Sequence, residues 1–145
     1  VLAEAFGPNS ISVQADALSW EQAIAQTIHL LEQAGQVKAS YLDEVLEANA
    51  KHGPYFVIAP HIAIAHAAPS SSVIATGFSL LKLQSGTQSG SANDPVRLLF
   101  GFCAKDPSSH LELLSEFAAV MSRGEMVNLL LNASNSVELR KLLLD

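Results

Sequence analysis

The stretch from Val96 to Ala104 (VRLLFGFCA) carries one charged residue in nine. A strand apolar at successive positions points greasy side chains to both faces of a sheet, so both faces must be covered. That excludes an open sheet with one wet face. It asks for this strand to be central and for layers of helix around it.

The rest of the chain supplies those layers. Ser19 and Gln22 have capping-box spacing, and Trp20, Ile24, Ile28 and Leu31 follow on one helical stripe that Gly35 ends. A second helix is predicted from Ser40 to Lys51, with Leu42, Val45 and Leu46 as its apolar face. Towards the C-terminus, Ser109 and Glu112 repeat the capping-box spacing, and Leu114, Phe117 and Met121 form a stripe. Met126, Leu129 and Leu130 mark a further short helix, and Leu139, Leu142 and Leu143 a last one. Between these groups lie shorter apolar runs at 11–15, 55–59, 62–65 and 76–83 that read as strands. The polar Gly- and Ser-rich stretch 84–93 reads as a mobile loop. Helices at both ends around a central set of strands predict an α/β sandwich, with the strand order left open.

With 145 residues, no repeat and no linker, the chain is expected to form a single domain over 1–145. Its 49% hydrophobic content suffices for a core, and no apolar run is long enough to span a membrane. The segment Val1 to Gly7 is too short and too acidic to serve as a secretory signal. A formal charge of −6 without a Lys/Arg cluster argues against nucleic acid as a partner. The single cysteine, Cys103, excludes an internal disulfide and fits a reducing cytoplasm; at the end of an apolar strand it reads as a packing residue. The leucine-rich C-terminus suits either core or a homo-oligomer interface.

Chemistry therefore rests on the five histidines. His29 borders the first helical stripe and reads as a boundary residue. His52 follows the second helix, where a cation complements the helix dipole. His66 ends an apolar run and is followed by AAPSSS, small residues that leave its ring accessible where a strand becomes a loop. The alternative for His66 is a buried or capping histidine. His110 is placed in the first turn of the helix that Ser109 is expected to cap, where free N–H groups attract anions; its alternative is a packing histidine. A neutral imidazole is a nucleophile whose pKa lies near neutrality. A phosphate held between His66 and the start of this helix would be favoured by both dipole and hydrogen bonds. No Gly-rich loop with Lys is present for direct nucleotide use. A zinc site on His61, His66 and His110 is disfavoured, because odd spacing along a strand sends His61 and His66 to opposite faces.

The segment HGPYFVIAPHIAIAHA, residues 52–67, resembles the Gly-Ile-Ala-x-Pro-His-Ala/Gly-Arg stretch of mannitol–fructose-type enzyme IIA domains of bacterial sugar phosphotransferase systems. Its opening GPYFV is most similar to the ascorbate-type members. DPVRLLF at 94–100 resembles the family's Asp-Pro-Val strand, and HLELL at 110–114 its second-histidine helix. The resemblance extends from about Leu18 to the C-terminus.

The resemblance implies a mixed β-sheet flanked by helices. It implies that His66 takes phosphate from the phosphocarrier HPr and passes it to an enzyme IIB domain that serves a membrane transporter, with His110 stabilising the phosphoryl group. No metal, nucleotide or other cofactor is implied. Three positions depart from the family pattern: His61 stands where glycine is usual, Ala65 where proline is usual, and Ala68 where a basic residue is usual. His61 is a candidate to replace the lost charge. A regulatory module of the same fold and a three-histidine metal hydrolase are the competing functions.

Overall fold

The computed structural model describes residues 2–145. Among them, six helices and five strands follow in the order α1 (Leu2–Ala5), β1 (Phe6–Gln14), α2 (Trp20–Gln33), α3 (Ser40–His52), β2 (Val57–Ala59), β3 (Ile62–Ala65), β4 (Gly77–Thr87), β5 (Val96–Cys103), α4 (Pro107–Met121), α5 (Met126–Asn132) and α6 (Ser136–Leu144). The strands form one sheet in the order β1-β4-β5-β3-β2. β1–β4 and β3–β5 are parallel, whereas β4–β5 and β2–β3 are antiparallel. The sheet is mixed, and β5 is its middle strand, as the apolar run at 96–104 requires.

Alternation along the strands separates two cores. Leu98, Phe100 and Phe102 of β5 join Phe78 and Leu80 of β4 and Ile62 and Ile64 of β3, packed under Leu113 and Phe117 of α4 and Leu130, Leu139 and Leu143 of α5 and α6. Leu99 and Cys103 point the other way, with Leu81, Ala63 and Ala65, against the α2 stripe Trp20, Ile24, Ile28 and Leu31. Each large apolar side chain so buried contributes about 1.5–3 kcal/mol. The sheet is thus covered by helices on both faces. The α2 layer lies close to β5. A Cβ on Gly101 would meet Ser79 Oγ at 2.4 Å and Thr27 Cγ2 at 2.9 Å. The Ser79 hydroxyl donates to the Thr27 carbonyl at 2.8 Å, tying β4 to α2.

α2 begins as its sequence predicts. Ser19 accepts from the Gln22 N–H, and the Gln22 side chain accepts from the Ser19 N–H. Several other elements differ from expectation. β1 starts at Phe6 instead of residue 11, with a register break between Phe6 and Ile11 across Pro8, which has no N–H to give the ladder. β4 does not stop at Leu83: its pairing with β5 resumes at Thr87↔Val96. Only the rest of the expected loop is irregular, and there the Asp94 carboxylate accepts from the Ser89 and Gly90 N–H groups and from the Ser89 hydroxyl. In α3 the fully buried positions are Tyr41 and Val45, while Leu42 and Leu46 only flank the core.

The cap of α4 also differs. Asp106, not Ser109, is the N-cap: its carboxylate accepts from the Ser109 N–H at 2.8 Å, and Pro107 opens the helix. The deeply buried stripe is therefore Leu113, Phe117 and Val120, with Leu114 and Met121 at its margin. On β4, buried Lys82 donates to the carbonyls of Leu131 and Ala133 at the end of α5. Among the described residues no helix is long and apolar enough to cross a membrane.

Candidate functional site

β3 runs parallel to β5 as far as Ala65↔Gly101, and His66 is the first residue beyond the paired strand. Its Nδ1 lies 3.0 Å from the carbonyl oxygen of Ile64. A carbonyl can only accept, so Nδ1 carries the proton and donates it. The neutral ring then bears its lone pair on Nε2. The ring is half-buried among Phe56 (centroids 5.5 Å apart), Tyr55 (5.7 Å) and Phe102 (6.3 Å). Burial in this aromatic setting holds the His66 pKa below its ordinary 6.5, against the opposing pull of the Ile64 hydrogen bond and with a smaller contribution from His110. The neutral, nucleophilic form therefore prevails at neutral pH.

His110 comes to the same place from α4. Its ring sits edge-on to that of His66, with centroids 5.8 Å apart, and packs on Phe102 at 4.9 Å. Sequence spacing could not establish this juxtaposition, which the fold makes by bringing the end of β3 beside the start of α4. The expected anion site on the helix backbone is not formed in the way proposed. Pro107 has no N–H, the Ser109 N–H is taken by the Asp106 carboxylate, and the His110 N–H donates to the Asp106 carbonyl at 3.1 Å. What His110 offers is its imidazole. Burial lowers its pKa, and its Nδ1 is enclosed without a hydrogen-bond partner. An enclosed nitrogen without an acceptor is better left unprotonated, which places the ring proton on Nε2.

The other histidines lie elsewhere. His61 occupies the turn between β2 and β3, at the opposite end of β3 from His66, with φ +70°. Its Nδ1 donates to the Pro95 carbonyl at 2.7 Å. Glycine adopts that backbone region freely, which accounts for the family's usual residue at this position. The suggestion that His61 replaces a lost charge beside His66 is thereby corrected: the length of the strand separates them. The same separation removes the three-histidine metal arrangement, and among the described residues no group of three His, Cys, Asp or Glu converges. His29 is exposed on α2, 3.6 Å from Glu32. His52 closes α3 and stands edge-on to Tyr55 at 5.5 Å. Cys103 is buried, its Sγ donates to the Ala75 carbonyl at 3.3 Å, and burial pushes its pKa up to about 12, so it is a packing residue.

Ala65, which stands where proline is usual, is buried and paired in the sheet, while Ala68 is exposed. Tyr55, which packs against His66, is 42% exposed, and Leu111, the residue after His110, is 69% exposed. Cavities among the described residues open elsewhere, among them one of about 450 Å³ beside Trp20 and Thr87 and one of about 370 Å³ beside Pro8 and Gln33.

One residue that the sequence reading missed touches the backbone of the site. The Tyr41 hydroxyl lies between Ala67 and Phe102, accepting from the Ala67 N–H at 2.9 Å and donating to the Phe102 carbonyl at 2.8 Å. Only its place on the buried stripe of α3 could have marked it.

Comparison with known proteins identifies what this arrangement resembles. The profile of the family described as phosphoenolpyruvate-dependent sugar phosphotransferase system, EIIA 2, matches residues 4–145. The ascorbate-specific EIIA component of Salmonella typhimurium is 39% identical over 106 residues, covering 72% of this chain and 69% of that one. The solution structure of the mannitol-specific cryptic enzyme IIA of Escherichia coli superposes with a TM-score of 0.89 at 29% identity, covering 98% of this chain and 97% of that one. The mannitol enzyme IIA of E. coli, solved in complex with phosphorylated enzyme IIB, shares the fold with a TM-score of 0.81 at 22% identity, over 95% of this chain and 97% of that one.

Proposed function

Because this chain belongs to the EIIA 2 family of phosphoenolpyruvate-dependent sugar phosphotransferase systems, we propose that residues 1–145 act as one phosphocarrier domain with His66 as the residue that carries phosphate. The observation that supports this best is the 3.0 Å approach of His66 Nδ1 to the Ile64 carbonyl oxygen, which sets the ring's tautomer. A ring that donates Nδ1–H to Ile64 and is kept neutral by burial presents an unprotonated Nε2 next to a second imidazole.

In this reading the donor is phospho-HPr. The Nε2 lone pair of His66 attacks phosphorus, the new N–P bond forms as the bond between phosphorus and the donor group breaks, and the donor group leaves with the electron pair. Transfer onward to an enzyme IIB domain repeats the step with His66 as leaving group. The Nδ1–H···O=C bond persists throughout and steadies the ring when phosphate is bound. His110, protonated on Nε2, donates a hydrogen bond to a phosphoryl oxygen. The protein's part is placement and charge stabilisation, which is what phosphoryl transfer asks of it. Exposed Tyr55 and Leu111 suit contact with protein partners. The complex of the mannitol enzyme IIA with phosphorylated enzyme IIB supports the choice of acceptor. Such a carrier works in the cytoplasm, without metal or nucleotide.

A regulatory module, whose phosphorylation modulates a protein partner, is the second reading. Ala65 and Ala68, which replace the usual proline and basic residue, favour it. The deciding experiment incubates the chain with phosphoenolpyruvate, the general enzyme of the system and HPr, and then adds candidate IIB domains. Acid-labile, base-stable phosphate that appears and is discharged to IIB supports transport. Phosphate that is accepted but never discharged to IIB supports regulation.

A further inference from the structure

We propose that Tyr41 is the positioning residue of this site: its hydroxyl clamps the peptide that follows His66 to the end of β5 and so fixes the direction in which the His66 ring is presented. The proposal rests on His66 being the phosphate carrier, and it extends that reading to how the ring is held.

Tyr41 is fully buried in the first turn of α3. A phenol has one proton to give and lone pairs to receive. Here the proton goes to the Phe102 carbonyl at 2.8 Å, with the Ala67 carbonyl further off at 3.2 Å, and a lone pair receives the Ala67 N–H at 2.9 Å. β3 and β5 pair directly only as far as Ala65↔Gly101. Beyond that point the strands part, and the hydroxyl bridges the Ala67 N–H to the Phe102 carbonyl. It takes the place of the next rung of the ladder. Burial raises the phenol's pKa, so the bridging proton is retained.

His66 needs such a device. Its Nδ1–H bonds to a carbonyl only two residues back, so the direction of Nε2 is only as fixed as the backbone on either side of His66. On the N-terminal side the sheet holds Ala65. On the C-terminal side stands Ala67, whose methyl carries no constraint of its own; only Ala68, one residue further, is restricted, by Pro69. A proline would have locked φ just before the ring; this chain has Ala65 there and an external clamp after it. The clamp reaches the second histidine as well, because Phe102, which receives the hydroxyl proton, packs its ring against both His66 and His110.

The same helix secures the following loop at a greater distance. Glu44, three residues after Tyr41, accepts from the hydroxyls of Ser70 and Ser72, and Ser40 bonds to Ser72 at 2.7 Å. These contacts hold the loop but do not touch the peptide next to His66, which makes Glu44 the natural control.

The test compares Tyr41→Phe with Glu44→Gln in the full chain. Imidazole 15N shifts report the His66 tautomer, and transfer from phospho-HPr reports kcat and KM separately. For Tyr41→Phe, kcat is expected to fall roughly tenfold to a hundredfold, as for small misplacements of a reacting group. KM should stay within about twofold of the unmodified value, since Tyr41 is buried and takes no part in partner contact. The His66 signals should move from a single Nδ1–H form towards a mixture. Glu44→Gln should leave both the tautomer and kcat unchanged. An unaltered tautomer and kcat in Tyr41→Phe overturn the proposal, and so does an equal change in Glu44→Gln, which would mean that any loosening of the loop suffices.

Should Tyr41→Phe not fold, the unmodified protein still decides. A slowly exchanging Tyr41 hydroxyl proton with a cross-peak to the Ala67 amide is expected, and a hydroxyl exchanging as freely as an exposed one overturns the clamp. If the unmodified chain accepts no phosphate while the His66 tautomer still responds to Tyr41→Phe, the phosphocarrier reading fails and the positioning role stands.

Discussion

The two ends of β3 each carry a histidine, and the two are put to different uses. His61 at the start and His66 just past the end both donate Nδ1–H to a backbone carbonyl, of Pro95 and Ile64 respectively. The first is fixed as part of a turn. Its own N–H donates to the Asn93 carbonyl, and its carbonyl accepts from the N–H groups of Arg97 and Leu98. The second stands where backbone pairing runs out, with its ring among three aromatics and a second imidazole. Residue type and ring hydrogen bond are the same. The neighbourhood makes one a fastening and the other a candidate nucleophile. The contrast shows why counting histidines in a sequence says little until the fold assigns each its surroundings.

Substitution at the two ends should break this symmetry most sharply. His66→Gln is expected to abolish phosphate acceptance from phospho-HPr, while His61→Gln keeps it within about twofold, because that ring is remote from the transfer. Radiolabel incorporation checks both, and equal losses would contradict the distinction. The next largest effect concerns the neighbour that only His66 has. His110→Ala should slow transfer by about 10²-fold or more, the scale seen when a donor to developing charge is removed, while thermal unfolding shifts little.

The pH dependence sharpens the comparison further. The neutral ring is the nucleophile, and the pKa of His66 lies below 6.5. Protonation therefore silences it at lower pH, so the acid-side decline in acceptance rate should have its midpoint below pH 6.5. A decline already centred above pH 6.5 would contradict the effect assigned to burial. The smallest effect belongs to His61→Gly. Relief of the left-handed backbone gains about 1–2 kcal/mol, while the lost hydrogen bond costs about 0.5–1.5 kcal/mol. The melting temperature should move by only a few degrees, with no change in transfer.

Much of this was legible in the residues themselves. The run at 96–104 announced a central strand. The Ser19–Gln22 pair announced the start of α2, and small residues after an apolar run marked His66. These signals are local, since each depends on neighbours within a few positions. The losses are of two kinds. Asp106 and Ser109 both make acceptable caps, and with Pro107 only the first lets proline open the helix. Tyr41 was hidden because its partners, Ala67 and Phe102, lie 26 and 61 residues away; no spacing reveals a hydroxyl bridging a loop amide to a strand carbonyl. The extension of β4 to Thr87 was likewise concealed, because Gln84, Ser85 and Gly86 read as a loop until β5 is laid beside them. His61 stood as a candidate charge because its tie to the Pro95 carbonyl in the turn, at the far end of β3 from His66, depends on a partner 34 residues away.

The most direct measurement is 31P–15N correlation on the ring of the phosphorylated chain. It is expected to place phosphorus on Nε2 of His66, with Nδ1 still protonated and still bonded to the Ile64 carbonyl. Phosphorus on Nδ1 of that ring, or on any other residue, would contradict the account.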